Sequence, residues 1–438
     1  MNQVLLIYTC RITQRNKYII NFIFKDILGI SIQLTTDKDF FISSNQAKVN
    51  YSLHPIEDEV FFASRNILFE SGMHDQQLSV FEYENIPCFF AVGKKSNLPF
   101  DPFAASFYLV SRYEEYLPHL KDQYLRYTPE QSIAYENGFL NIPVVDHWAL
   151  MVKKIIQNRY PEFIFPEKVF SYIPTIDVDN AFSYNNKGLM RTLGGLIKSL
   201  SIFDLKSFIK RLEVVLRISK DPFDTYDMLE EIHKKYNLKS VYFYLFASYG
   251  INDKNIHIDN TSFQSLIKST ADYFDVGIHP SCASNSDNKI LKKEVKNLSS
   301  VLRREVNKSR QHFLMLSLPE TYRNLLDIDI KDDYTMGYPS CLGFRAGTCT
   351  PFYFYDIDME VQTTLRVHSF QIMDATLKYY HKIEEDEVIE AVKPIIEAVK
   401  AVNGTLITLW HNESLSDVSP WTGWQNTYED VIKYIMQE

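Results

Sequence analysis

The chain has 438 residues, of which 45% are hydrophobic and 23% charged, a composition typical of a folded protein with room for two or three domains. The formal net charge is -9, so nucleic acid is not an expected partner. Five cysteines without a CxxC pair predict neither a disulfide framework nor a zinc knuckle. No basic stretch precedes the first apolar run, which indicates a strand rather than a secretory signal, and we expect a cytoplasmic protein.

Residues 1–165 predict a smaller α/β domain, because short apolar runs alternate there with polar segments. Asp101 followed by Pro102 is typical of the start of a helix, and we expect one within 97–116. Prolines at 161 and 166 predict a boundary near 165.

Residues 166–438 predict alternating strands and helices. The β-like runs cover 168–176, 240–247, 274–279, 312–316, 342–345, 365–373 and 404–410. This alternation favours a mostly parallel sheet, either open or closed into a barrel.

Polar residues follow several of these strands, at the ends where parallel sheets form their sites. Asp177 and Asp179 share one face of an extended chain, so one can bind a cation and the other can act as a base. An aspartate that caps a helix, followed by a turn, explains these residues equally well. His279 and His312 are weak candidates alone, since strand-end histidines are often structural. His411, at the end of the last strand, is a better catalytic candidate.

Glycines flank Arg345 in GFRAGTCTPF, at 343–352. They allow close approach of backbone or ligand, and an arginine there can orient a carboxylate through two hydrogen bonds. A surface turn with an exposed charge is the alternative.

In order, the segments TIDVD, GIHPS, GFRAG, MDATL and LWHNE resemble the motif series of the polysaccharide deacetylase domain, the NodB-homology domain of carbohydrate esterase family 4. The resemblance covers about 165–438 and implies a distorted (β/α) barrel of NodB type. The N-terminal part resembles the accessory domain that precedes such domains in Bacteroidetes proteins.

The resemblance also implies catalytic roles. Asp177 matches the general base of the family, and Arg345 matches the arginine that orients this base. His411 matches the general acid, and Asp374 matches the aspartate that orients it. The tryptophan usual beside that aspartate is absent. The implied substrate-binding residues are Leu409, which lines the pocket for the acetyl methyl, and Trp410.

The metal ligands depart from the family pattern. Val178 stands where the family has its ligand aspartate, so the role moves to Asp179. His279 matches the first ligand histidine, but Ala283 stands at the second, and His312 is our candidate for the missing ligand. The implied cofactor is a divalent metal, with zinc favoured over cobalt, nickel or iron.

A basic segment at 187–220 holds eight Lys or Arg residues and two acidic ones, a local charge of 8 - 2 = +6. Its apolar residues recur at helical spacing. We hypothesise peripheral contact with an anionic membrane or capture of a phosphate-bearing substrate; a hairpin packed on the barrel with a solvated basic face is the alternative.

The sequence therefore predicts a metal-dependent hydrolase that deacetylates an N-acetylated sugar or oligosaccharide, or a lipid- or nucleotide-linked precursor of a cell-surface glycan. One alternative is an O-deacetylase, or a glycoside hydrolase that uses Asp177 with Glu413 and needs no metal. Another is an inactive glycan-binding pseudoenzyme, which the departures at Val178 and Ala283 keep open.

Overall fold

The computed structural model describes residues 3–437 and is a mixed α/β fold built on two largely parallel sheets. The first sheet has four parallel strands in the order β2-β1-β3-β4, and β5 and β6 form a separate antiparallel pair. The strands are β1 Val4–Thr9, β2 Ser31–Thr35, β3 Lys48–Ser52, β4 Val60–Ala63, β5 Phe81–Tyr83 and β6 Ile86–Cys88. The helices of this part are α1 Gln14–Asn21, α2 Lys38–Ser43, α3 Pro102–Val110, α4 Ile133–Glu136 and α5 Val144–Arg159.

The predicted start of α3 is confirmed. The Asp101 carboxylate accepts hydrogen bonds from the backbone N–H groups of Phe103 and Ala104, and Pro102 occupies the first turn. The helix lies within the expected range and ends before Arg112, whose φ of 55° is left-handed. Every residue of α3 is buried, so this helix lies inside the core.

The second sheet has nine strands in the order β12-β13-β11-β10-β9-β8-β7-β15-β14. All neighbours are parallel except β12 and β13. The strands are β7 Ser171–Val178, β8 Val241–Tyr244, β9 Asp275–Ile278, β10 Lys308–Ser309, β11 Asp332–Asp333, β12 Phe352–Asp356, β13 Val361–Val367, β14 Ile372–Met373 and β15 Thr405–His411.

Helices connect many of these strands. They are α6 Leu189–Ser201, α7 Leu205–Val215, α8 Tyr226–Lys235, α9 Thr261–Tyr273, α10 Asn288–Leu302, α11 Glu320–Leu326, α12 Val388–Ala401 and α13 Trp424–Met436. Within residues 3–437, none of the helices combines the length and the apolar character needed to cross a membrane.

The second sheet is curved but open. Phe243 on β8 and Tyr334 just after β11 have ring centroids 5.2 Å apart, although three strand intervals of about 4.8 Å each would separate them in a flat sheet. In the described part of the chain no strand pairing joins the outermost strands, β12 and β14, so the sheet does not close into a barrel.

Three predicted strands differ from the observed ones. Residues 342–345 form a loop rather than a strand, and 365–373 spans parts of two strands, β13 and β14. His312 does not open a strand but begins a 3₁₀ turn, His312–Leu314, because β10 ends at Ser309. Short apolar runs do not distinguish buried loops from strands.

A buried ionic network joins the loop at 343–350 to the N-terminal part. The Glu115 carboxylate accepts two hydrogen bonds from the Arg345 guanidinium, at 2.9 and 2.7 Å, and one from Arg112 at 2.7 Å. Burial alone would raise the pKa of Glu115, but the two guanidinium charges lower it to about 2. One hydrophobic cluster also includes residues from both sheets, such as Ile7 and Ile176. The boundary near 165 stays a prediction.

We expect Arg345→Ala to destabilise the fold by about 3–5 kcal/mol, because it removes the paired donors of a buried carboxylate. The measurement is the free energy of unfolding from chemical denaturation. Lys154→Ala is the control, since its contact with Glu84 joins side chains that are 66% and 50% exposed. Equal stability of the two variants would contradict a structural role for Arg345.

Candidate metal centre and active site

The candidate site lies at the carboxyl ends of the parallel strands of the second sheet. Asp177 lies on β7, Asp179 directly follows it, and His279 follows β9. Asp374 follows β14, and His411 ends β15. Because β15, β7, β8 and β9 are parallel neighbours, these side chains meet at one edge of the sheet.

Asp179, His279 and His312 converge as a possible metal-binding set. One ligand atom from each lies within 4.8 Å of the others. The Asp179 carboxylate is 3.2 Å from His279 Nε2 and 3.5 Å from His312 Nε2. Its Oδ1 is buried and accepts no hydrogen bond. Oδ1 is the oxygen nearer His279, and Oδ2 is the one nearer His312. A carboxylate with an unpaired buried oxygen beside two imidazole nitrogens fits a divalent cation, for which these are suitable ligands.

Hydrogen bonds to the other ring nitrogens orient both imidazoles. His279 Nδ1 lies 2.5 Å from the Arg310 carbonyl oxygen, and His312 Nδ1 lies 2.8 Å from Asp253 Oδ1. Each Nδ1–H therefore has an acceptor, which leaves each Nε2 free as a ligand facing Asp179. Carbonyl and carboxylate partners of this kind are common behind metal-bound histidines.

Asp253 is a site residue that the sequence interpretation missed. It is buried in the loop after β8 and also accepts a hydrogen bond from the Cys282 backbone N–H at 2.9 Å. Asp253, Cys282 and His312 form a second possible ligand group. Because His312 Nδ1 is already bonded to Asp253, we interpret these residues as support for His312.

Without a cation, Asp179 and His312 form a pair whose pKa values shift in opposite directions. Burial opposes ionisation of both groups, but their mutual attraction dominates. It lowers the pKa of Asp179 and raises that of His312 well above its usual range. The Asp179 carboxylate therefore stays ionised, and a cation bound there would displace the proton of His312.

Arg310 rather than Arg345 orients Asp177. Arg310 Nη1 donates to Asp177 Oδ1 at 2.8 Å and to Thr175 Oγ1 at 2.7 Å. Its guanidinium carbon is 4.7 Å from the centre of the Phe243 ring. The other carboxylate oxygen, Asp177 Oδ2, lies 3.8 Å from His279 Nε2 and so faces the candidate metal ligands.

The prediction that Arg345 orients Asp177 is wrong. Arg345 instead donates to Glu115, and also to the Gly337 carbonyl at 2.9 Å. The physical reason lies in its loop: Gly343 has a φ of 120°, and a side chain there would meet the Leu140 carbonyl. This close approach ties the loop to the N-terminal part, whereas Arg310 directly follows strand β10 at the site.

Asp374 holds His411 through two hydrogen bonds. Asp374 Oδ1 lies 2.8 Å from His411 Nδ1, and Oδ2 accepts the His411 backbone N–H at 2.8 Å. Burial would lower the pKa of His411, but the Asp374 charge, with Asp179 and Asp177, raises it to about 10. His411 is therefore protonated at neutral pH and can donate a proton.

Leu409 and Trp410 lie on opposite faces of β15, as the alternation of strand side chains requires. Leu409 lines the site cavity beside His411. Trp410 is fully buried on the other face, with ring centroids 6.1 Å from Trp424 and 4.9 Å from Tyr428 of α13. The prediction of Trp410 as a substrate-binding residue is wrong, because its ring belongs to the core.

The site opens into a cavity of about 240 Å³. Aromatic side chains of Phe313, Tyr379, Tyr380 and Trp421 line it, together with Glu413, Asp177, His411 and the three possible metal ligands. Burial and the nearby charge of Asp179 raise the pKa of Glu413. A cavity with aromatic walls and a few convergent polar groups suits a small polar ligand with apolar faces, such as a sugar.

Comparisons with known proteins give two kinds of similarity. The sequence model of a family of unknown function, DUF7033, matches residues 5–161. A search of the curated proteins finds no match.

Among solved structures, the chain is similar to a putative polysaccharide deacetylase from Mycobacterium smegmatis, with 12% identity over 63% of this chain and 87% of that one and a TM-score of 0.41. A polysaccharide deacetylase from Bacillus cereus matches with 12% identity over 61% and 88%, and a TM-score of 0.28. A mutant of a carbohydrate esterase family 4 pseudoenzyme with restored activity matches with 12% identity over 63% and 68%, and a TM-score of 0.31. The functional assignment therefore depends on the residues of the site.

Proposed function

We propose that the chain is a metal-dependent hydrolase that removes an acetyl group from an N-acetylated sugar of a cell-surface glycan or its precursor. The observation that carries the proposal is the convergence of three groups on one cavity. These groups are the possible ligands Asp179, His279 and His312, the pair Asp177 and Arg310, and the pair His411 and Asp374.

The set of one carboxylate and two imidazoles favours zinc, with cobalt, nickel or iron as alternatives. A divalent cation held there would polarise the acetyl carbonyl and make water more acidic. Asp177 accepts the proton of the attacking water through its Oδ2, while Arg310 keeps the carboxylate in place through Oδ1.

His411 donates a proton to the departing amine. An amine is a poor leaving group unless it is protonated, so the raised pKa of His411 serves this step. Leu409 lines the cavity next to His411 and offers an apolar surface to the acetyl methyl group. The aromatic walls are suited to the faces of the sugar ring.

A glycoside hydrolase is the second candidate, favoured by the raised pKa of Glu413 in the same cavity as Asp177. In that mechanism a protonated Glu413 would be the acid and Asp177 the nucleophile or base. Chelation of metal distinguishes the two, since it would abolish deacetylation and leave a two-carboxylate hydrolase active.

We expect near-stoichiometric metal in the wild-type protein after incubation with zinc and dialysis. Asp179→Ala, His279→Ala and His312→Ala should each lose it, and Asp253→Asn should weaken binding by about 10–100-fold, because it removes the negative charge behind His312. The measurement is metal content by elemental analysis, with affinity from competition with a chelator. His257→Ala is the control, as its imidazole is 75% exposed. Full metal in the three alanine variants would contradict the ligand set.

We expect Asp374→Asn to shift the alkaline limb of activity to lower pH. The pKa of His411 is raised to about 10, so the required protonated form is present below that pH and is lost as pH rises through it. Removal of the Asp374 charge leaves burial, which lowers the pKa, opposed only by the smaller effects of Asp179 and Asp177, so the limb should move to lower pH. The measurement is kcat against pH.

Asp386→Asn, at an exposed position, is the control for this experiment and should keep the wild-type profile. A profile of Asp374→Asn that matches the wild type would exclude His411 as the acid.

A further inference from the structure

The basic hairpin, residues 187–220, consists of α6 and α7 joined by a short turn. Phe203 in this turn has a φ of 55° and is 89% exposed. The hairpin carries +6, whereas the rest of the chain carries -9 - 6 = -15.

Apolar side chains of the hairpin point into solvent. Thirteen of the 31 exposed large hydrophobic residues found within 3–437 lie in this segment of 34 positions. They are Leu189, Met190, Leu193, Ile197, Leu200, Ile202, Phe203, Leu205, Ile209, Leu212, Val215, Leu216 and Ile218. Such a concentration on a protein surface marks a site of contact with an apolar partner.

Arginines hold the hairpin to the body of the protein. Arg191 donates to the Asn255 carbonyl at 2.9 Å, and its guanidinium carbon lies 4.4 Å from the centre of the Tyr249 ring. The Arg211 guanidinium carbon lies 4.6 Å from the centre of the Tyr184 ring. In an ordinary surface helix the apolar face packs inward and the charged face points outward. Here two charged side chains point inward and most of the apolar ones point outward.

We propose that this hairpin docks on the surface of an anionic lipid bilayer. Its apolar side chains would enter the boundary between headgroups and acyl chains, and exposed Lys198, Lys206 and Arg217 would contact the anionic headgroups. The charge favours lipid over pairing with the hairpin of a second copy, because two hairpins of +6 would repel each other.

The hairpin begins close to the active-site cavity. Its first residue, Lys187, follows the site residue Asp179 by eight positions. Just beyond its last residue, the Phe223 carbonyl accepts a hydrogen bond at 3.1 Å from the side chain of Asn412, the neighbour of His411. If the proposed deacetylation is correct, docking would bring the cavity near the membrane, as suits an N-acetylated sugar carried on a lipid. The docking itself does not depend on that activity.

The test is co-sedimentation of the full chain with vesicles of phosphatidylcholine alone or with phosphatidylglycerol. We expect binding to the anionic vesicles at low salt, weakened by added salt. Ile197→Asp combined with Phe203→Asp should reduce the partition coefficient by about tenfold or more. Lys198→Gln and Lys206→Gln should each reduce it by about fivefold. Val169→Asp is the control, since Val169 is 82% exposed outside the hairpin.

Protein that stays in solution with anionic vesicles would overturn the proposal, as would equal loss of binding in Val169→Asp. The wild type could instead fail to bind vesicles and form concentration-dependent dimers on size-exclusion chromatography. If the Ile197→Asp and Phe203→Asp variant does not form these dimers, the surface is a contact with a second copy and the proposal is overturned. Deacetylase activity on a soluble sugar is a separate readout, so either proposal can fail alone.

Discussion

The site depends on the position of Arg310. Its guanidinium donates to Thr175 and Asp177 of β7 and to the Tyr334 carbonyl after β11, and its own carbonyl oxygen orients His279 after β9. A guanidinium that is fully buried is costly unless it is paired, and Asp177 supplies the counter-charge. The bond between them spans from β10 to β7, which are three strands apart, so it also requires the curvature of the sheet. One residue thus couples the candidate base, a candidate metal ligand and the shape of the sheet.

The motif resemblance assigns the orientation of Asp177 to Arg345, but in the structure a different buried arginine has this contact. Arg310 holds Asp177 within the site, and Arg345 holds Glu115 at the junction with the N-terminal part. Strand alternation explains a second departure from the motif series. Val178 is 1% exposed and belongs to the main core, so the two carboxylates on the site face are Asp177 and Asp179.

Much of this arrangement follows from local sequence pattern. Alternation within β7 and β15 is enough to put Asp177 with Asp179, and Leu409 with His411, on common faces. The expectation that His312 lies beside His279 also agrees with the geometry, their ring centroids being 5.0 Å apart, although a turn rather than a strand presents His312. Metal binding by these residues stays a prediction.

The rest is set by tertiary contacts that pattern does not encode. Asp253 lies in an irregular loop 59 residues before His312, so no periodicity relates them. The pairing of Arg345 with Glu115 spans 230 residues. Trp410 occupies a position that the motif assigns to the pocket, but only the packing of α13 shows that its ring is needed in the core. The exposure of the hairpin's apolar side chains likewise depends on which face of the hairpin packs against the rest of the protein.

The most direct test of the proposed centre is amine release from an N-acetylglucosamine oligosaccharide by zinc-loaded wild type and Asp177→Asn. This substitution keeps the size of the side chain but removes the base, so zinc content should stay at the wild-type level while amine release falls by about 10²–10⁴-fold. Undiminished amine release by the zinc-loaded variant, or equal release by metal-free wild type, would contradict a metal-assisted reaction with Asp177 as its base.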